Sequence, residues 1–153
     1  MHKQRILVSA CLLGVNCRYK GDGQKLEGIE KLMELAELIP VCPEILGGLP
    51  TPRVPAERQG EKVVMRDGTD VTAQFHRGAK EALGLAKLFG VKYALLKERS
   101  PSCGAGEIYD GSFTGGKIAG DGVTAELLKK NGVAVYGESR FEELMKEIKG
   151  EEK

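Results

Sequence analysis

Apolar runs of strand length alternate along this chain with stretches of helical period. Residues 5–10, 38–41, 93–96 and 133–136 read as four strands, each rich in aliphatic and β-branched side chains. Between the first two, Leu26, Ile29, Leu32, Met33 and Leu35 follow a helical spacing over 26–35. A longer stripe with Phe75, Ala79, Ala82, Leu83 and Ala86 predicts a helix over 71–89, with Asp70 as its N-cap and Gly90 as its stop. Residues 123–130 read as a third helix, halted at Asn131-Gly132. Ser139 and Glu142 have the spacing of a capping box for a last helix ending near Lys149. Residues 57–67 read as a short hairpin, with Val63-Val64-Met65 as one arm and Asp67-Gly68 as a turn. The glycine-rich stretch 106–122 reads as irregular.

Strands alternating with helices imply a parallel sheet covered on both faces. The expectation is a Rossmann-like, three-layer α/β fold with a mostly parallel sheet of about four strands, in the order 2-1-3-4. The 153 residues form one domain, 1–153, with a core of about 5–149. Ligands in such sheets bind beyond the carboxyl ends of the strands, at the point where the strand order reverses. Here that point lies between strands one and three.

Composition changes this picture little. Lysine and arginine total 23 against 22 aspartate and glutamate, so net charge gives no pull toward nucleic acid or acidic membranes. The chain has no tryptophan and few other aromatics, which argues against a stacking platform for single strands and against intact tRNA as a partner. The apolar stretch after the charged residues 1–5 is too short to span a bilayer and makes a better strand than a signal segment. A cytoplasmic location is expected.

The cysteines carry the chemistry. Cys11, Cys42 and Cys103 each follow one of the first three strands and lie in loops bearing proline or glycine. None belongs to a C-x-x-C pair, which disfavours a zinc ribbon or thioredoxin motif. Three buried thiolates repel one another unless a cation or cluster neutralises them. Such soft ligands select zinc, Cu(I) or iron–sulfur clusters. Cysteine is also among the most buried residue types, so inert packing is the bland alternative. Cys17, in mid-loop beside Arg18, fits a non-ligand role.

The third strand leads into Arg99-Ser100-Pro101-Ser102-Cys103-Gly104, a loop stiffened by Pro101 and given conformational latitude by Gly104. Glu44, two residues beyond Cys42 and stiffened by Pro43, suits general acid–base work. Ser100 and Ser102 are candidates to donate to a bound anion or relay a proton. Arg53, Lys97 and Arg99 could balance the charge of a cluster, and Ser102 and Arg53 are candidate substrate contacts. His2 and His76 stand isolated.

Six blocks in order carry a resemblance: Val8-Ser9-Ala10-Cys11-Leu12-Leu13-Gly14, Asn16-Cys17-Arg18-Tyr19, Val41-Cys42-Pro43-Glu44, Gly47-Gly48-Leu49-Pro50-Thr51-Pro52-Arg53, Lys97-Glu98-Arg99-Ser100-Pro101-Ser102-Cys103-Gly104 and Tyr109-Asp110-Gly111. The chain resembles the 2-thiouracil desulfidase (TudS) family from about residue 6 to residue 136. The resemblance implies a [4Fe-4S] cluster held by Cys11, Cys42 and Cys103, with the fourth iron open to a thiocarbonyl sulfur. It implies that Glu44 is the acid/base carboxylate and Ser100 its helper hydroxyl. The implied reaction is non-redox: water replaces the sulfur of a small thiolated base, giving uracil and sulfide from 2-thiouracil. A non-enzymatic iron–sulfur or zinc protein, acting as sulfur carrier or sensor, is the alternative.

Overall fold

The computed structural model of the chain describes residues 3–151, so the reading of His2 lies outside the described residues. In chain order the elements are β1 (Gln4–Ser9), α1 (Ile29–Leu35), β2 (Ala36–Val41), α2 (Pro43–Leu46), β3 (Ala56–Gln59), β4 (Lys62–Met65), α3 (Thr72–Leu88), β5 (Tyr93–Leu96), β6 (Glu107–Tyr109), β7 (Lys117–Ala119), α4 (Val123–Lys130), β8 (Ala134–Gly137) and α5 (Phe141–Glu151).

Four strands form the main sheet in the order β2-β1-β5-β8. All three pairings are parallel. This is the expected 2-1-3-4 order, with the reversal at β1 and β5. The period of two along a strand sorts its side chains between two cores. Ile6, Val8 and Leu95 pack with Ile29, Leu32, Leu144 and Ile148, beneath α1 and α5. Leu7, Ala94 and Leu96 pack with Ala82, Ala86, Ala125 and Leu128, beneath α3 and α4. Each fully buried leucine or isoleucine stabilises the fold by roughly 1.5–3 kcal/mol. Pro40 is tolerated in β2 because that strand lies at the sheet edge, where a missing N–H breaks no ladder.

The structure corrects several local expectations. Helix α1 begins at Ile29 and not at residue 26, because Gly28 takes a left-handed φ of 86°. The β3–β4 hairpin turns between Gln59 and Lys62, whereas Asp67-Gly68 turns the chain from β4 toward α3. Asp70 does bond the first turn of α3, its Oδ1 accepting from the Thr72 amide at 2.9 Å, but one residue outside the N-cap. The stretch expected to be irregular contains the antiparallel pair β6–β7. These three-residue strands are too short to show an alternation. The capping box does not form: Ser139 donates to Glu98 Oε2 instead. A single 3-10 turn at Glu138–Arg140 precedes α5.

Candidate active site

The carboxyl ends of β1, β2 and β5 open onto a cavity of about 530 Å³, within the usual range for small-molecule sites. Cys11, Cys42, Cys103, Glu44, Ser100 and Arg53 all line it, with Tyr19, Tyr109 and Phe113 among its walls. The reversal of strand order splits the loops apart at this edge and makes the space.

Each cysteine is positioned by its own local structure. Cys11 is buried in a 3-10 turn (Ala10–Leu13) that ends at Gly14 in the left-handed region. Cys42 precedes α2, with Pro43 preset for the first helical turn. Helix α2 is pressed against α3 through glycine. A Cβ on Gly78 would sit 1.8 Å from the Pro43 carbonyl oxygen, and one on Gly47 would sit 2.0 Å from that of Gln74. No larger residue allows this approach, and it sets where Cys42 and Glu44 stand.

Cys103 lies in the hexapeptide loop, which is tied to the start of α4. The amides of Val123 and Thr124 donate to the carbonyls of Pro101 and Ser102 at 2.8 and 2.9 Å. Arg99, at φ 68°, supplies the left-handed turn here, not Gly104. Gly104 serves close approach instead, since a Cβ there would lie 2.7 Å from the Ser100 carbonyl oxygen. Ser100 Oγ accepts from the amides of Ser102 and Cys103, both at 3.0 Å, and donates to Glu44 Oε1 at 3.4 Å.

Ser102 does not reach the cavity. It is fully buried, and its hydroxyl is paired with Thr124 Oγ1 at 2.7 Å. The expectation that it contacts substrate is corrected by that pairing: its side chain faces α4. Arg53 forms part of the cavity wall, but its guanidinium is spent on protein partners. Nε donates to Glu44 Oε2 at 3.0 Å, and Nη2 lies 2.9 Å from the same oxygen. In the cavity wall, then, Arg53 stands as the ion-pair partner of Glu44.

The three cations expected to balance charge all line the cavity but take different partners. Arg53 serves Glu44, Lys97 pairs with Glu138 at 2.8 Å, and Arg99 makes a half-exposed pair with Glu107 at 3.4 Å. Lys97 still acts on Cys11, together with Arg18. Two participants were missed in the sequence. Arg18 is one. Ser9 is the other: its Oγ accepts from the Lys97 amide at 2.8 Å, and it is hydrogen-bonded to Cys103. A serine ending a strand two residues before a cysteine was the available signal. His76 lies on α3, away from the cavity lining.

Burial, then the neighbouring Cys42, pushes the Cys11 thiol up to about 11, against the pull of Lys97 and Arg18. Burial, then Cys42, pushes Cys17 up to about 12. Burial raises Cys103 as well, and the Ser9 hydroxyl opposes it. Unligated, these thiols are neutral at pH 7. A bound cation would have to displace their protons, and so would repay the burial of their charge.

Among the described residues, no group of three or more His, Cys, Asp or Glu side chains is arranged to hold a metal ion. A mononuclear zinc site draws its donors to within about 2.3 Å of one point. An iron–sulfur cluster instead takes each thiolate on a different iron. Three soft thiols lining one cavity, Cys11 and Cys103 buried and Cys42 half-buried, with Arg18 and Lys97 lowering the cost of a thiolate at Cys11, fit the cluster.

Fold and site together define an α/β protein with four cysteines and an ion-paired carboxylate lining a cavity at the switch point of a parallel sheet. The chain matches the 2-thiouracil desulfurase family over residues 6–140, and it belongs to that family. It is similar to a solved structure of a [4Fe-4S]-dependent thiouracil desulfidase, TudS, at 49% identity and a TM-score of 0.92, covering 96% of this chain and 99% of that one. It is also 44% identical over 150 residues to the uncharacterised protein YbbK of Bacillus subtilis (strain 168), covering 92% of this chain and 99% of that protein. No helix among the described residues is long and apolar enough to cross a membrane.

Proposed function

We propose that this protein is an iron–sulfur-dependent, non-redox desulfidase that hydrolyses the thiocarbonyl of a small thiolated pyrimidine such as 2-thiouracil. The observation that carries this reading is the hydrogen bond from Ser100 to Glu44 on the wall of the cavity that Cys11, Cys42 and Cys103 also line. The likeness to a thiouracil desulfidase supports it. Cys11, Cys42 and Cys103 would hold a [4Fe-4S] cluster. When bound, the cluster supplies a soft Lewis acid that draws electron density from the thiocarbonyl carbon.

The protein's own residues handle the proton. Glu44 Oε1 is the oxygen that Ser100 faces and Arg53 does not hold, so it is the one free to accept a proton from attacking water. A new C–O bond forms, the C–S bond breaks, and the proton returns to the departing sulfur. Water and C=S become C=O and hydrogen sulfide, with no electron donor required. General acid–base help of this kind is typically worth about 10²–10⁴-fold in rate. All four cysteines are free, which suits a reducing cytoplasm.

The test is anaerobic reconstitution with ferrous iron and sulfide, followed by assay of uracil and sulfide from 2-thiouracil. Equimolar release of both is expected. A protein that takes up the cluster yet desulfurises no thiolated base would overturn the enzyme reading and leave a binding protein.

A further inference from the structure

The Arg53 side chain is only 4% accessible although it stands in the cavity wall. Every nitrogen of its guanidinium has a protein partner. Besides Glu44 Oε2, Nη2 donates to the Cys17 carbonyl at 3.1 Å, and Nη1 donates to the Pro50 carbonyl at 3.1 Å and to Thr51 Oγ1 at 3.3 Å. Its own amide donates to the Tyr19 carbonyl at 2.8 Å. The Cys17 carbonyl is in turn the group that the Cys42 thiol approaches, at 3.8 Å.

A glutamate carboxylate turns freely about its last bond unless something holds it. One oxygen held by a fork leaves the other aimed. We propose that Arg53 is a positioning residue: it locks Glu44 Oε2 so that Oε1 faces Ser100 and the cavity, and it ties that carboxylate to the Cys17 carbonyl beside Cys42. The inference rests on Glu44 being the proton-handling group of the proposed reaction. A planar guanidinium is needed because several partners lie in different directions; a lysine ammonium lacks the fork.

The experiment compares wild type, Arg53→Lys and Arg53→Gln after anaerobic reconstitution, reading iron content and the visible spectrum beside kcat and KM for 2-thiouracil. Displacing a reacting group by about 1 Å can cost about a hundredfold. Arg53→Gln is therefore expected to lower kcat by about a hundredfold with KM and the cluster spectrum unchanged, and Arg53→Lys to recover part of that loss. A raised KM with unchanged kcat would overturn the inference, because Arg53 would then contact substrate. Unchanged kinetics would overturn it, and so would loss of the cluster.

A second measurement needs no turnover. In the metal-free protein, unfolding of Glu44→Gln, Arg53→Gln and the double variant forms a cycle. The double variant is expected to lower Tm by much less than the sum of the single effects. Strict additivity would show that the fork does not hold Glu44, whatever the protein catalyses. If wild type releases no sulfide while the cycle is non-additive, the proposed reaction fails and the clamp stands.

Discussion

Cys42 and Glu44 stand on an arm pinned by charge and by glycine contacts, whereas Ser100 and Cys103 stand in a loop stitched by neutral hydrogen bonds. The first half is fixed by the partly buried Arg53–Glu44 pair and the close approach of α2 to Gly78. The second is fixed by the amides of Val123 and Thr124 and by hydroxyls that turn inward. One half therefore rests on an ion pair, and the other on a neutral frame. A charge left without its partner in a buried place is far more costly than a lost neutral bond. The two halves should fail differently.

The largest difference expected is in turnover. Glu44→Gln should lower kcat by roughly a thousandfold, while Ser100→Ala lowers it by roughly tenfold to a hundredfold. Iron content stays near wild type in both, since neither side chain is a proposed ligand. Steady-state sulfide release with parallel iron analysis checks this, and equal losses would erase the division of roles.

Next in size is packing. Gly78→Ala would place a methyl 1.8 Å from the Pro43 carbonyl oxygen, a clash between backbones that no rotamer relieves. It should cost about 3 kcal/mol and loosen the Cys42 half. Gly122→Ala meets the Ser102 carbonyl at 2.4 Å and should strike the Cys103 half instead. Denaturant unfolding gives the energies. Trapping with a thiol reagent shows which cysteine becomes accessible.

Alkali gives a third contrast. A thiol of the unfolded chain ionises near 9, whereas folding holds Cys11 up at about 11 and Cys17 at about 12. Above pH 9 the unfolded chain binds fewer protons than the folded one. The thiols' contribution to stability is thus fully present below about pH 9 and is lost as the pH climbs toward 11 and 12. Tm of the metal-free protein should fall across that window. Cys17→Ala should flatten the upper part of the fall.

The smallest effect lies in the neutral half. Ser102→Ala strands the buried Thr124 hydroxyl and should cost about 1 kcal/mol, whereas Ser102→Ala with Thr124→Val should regain most of it. Thermal unfolding of the two variants decides the point. A much larger loss on Ser102→Ala alone would mean that the hydroxyl pair does more than anchor the loop.

Much of the frame was legible because it repeats. Ile6, Leu7 and Val8 alternate between two faces, and helix α4 falls at 123–130 as its spacing predicts. Glu44 and the strand-end cysteines were legible for a related reason: a parallel sheet sends every strand end to one edge. Contacts between distant short segments were not. β6 and β7 hold three residues each, too few for a pattern. Ser102 and Arg53 looked like free polar groups because sequence does not tell a hydroxyl facing a cavity from one facing Thr124.

Periodicity is a local property, so the order of residues alone determined the four strands of the main sheet and the helices that cover it. It also determined which thiols and which carboxylate stand near a strand end. Partnership is not local. Only the folded chain decided that Arg53 holds Glu44, that Ser102 turns to α4, and that Ser9 and Arg18 join the thiols. Each of those choices rests on distances of a few ångströms between segments far apart in sequence. There, burial removes the competing water and leaves each polar group to the nearest partner.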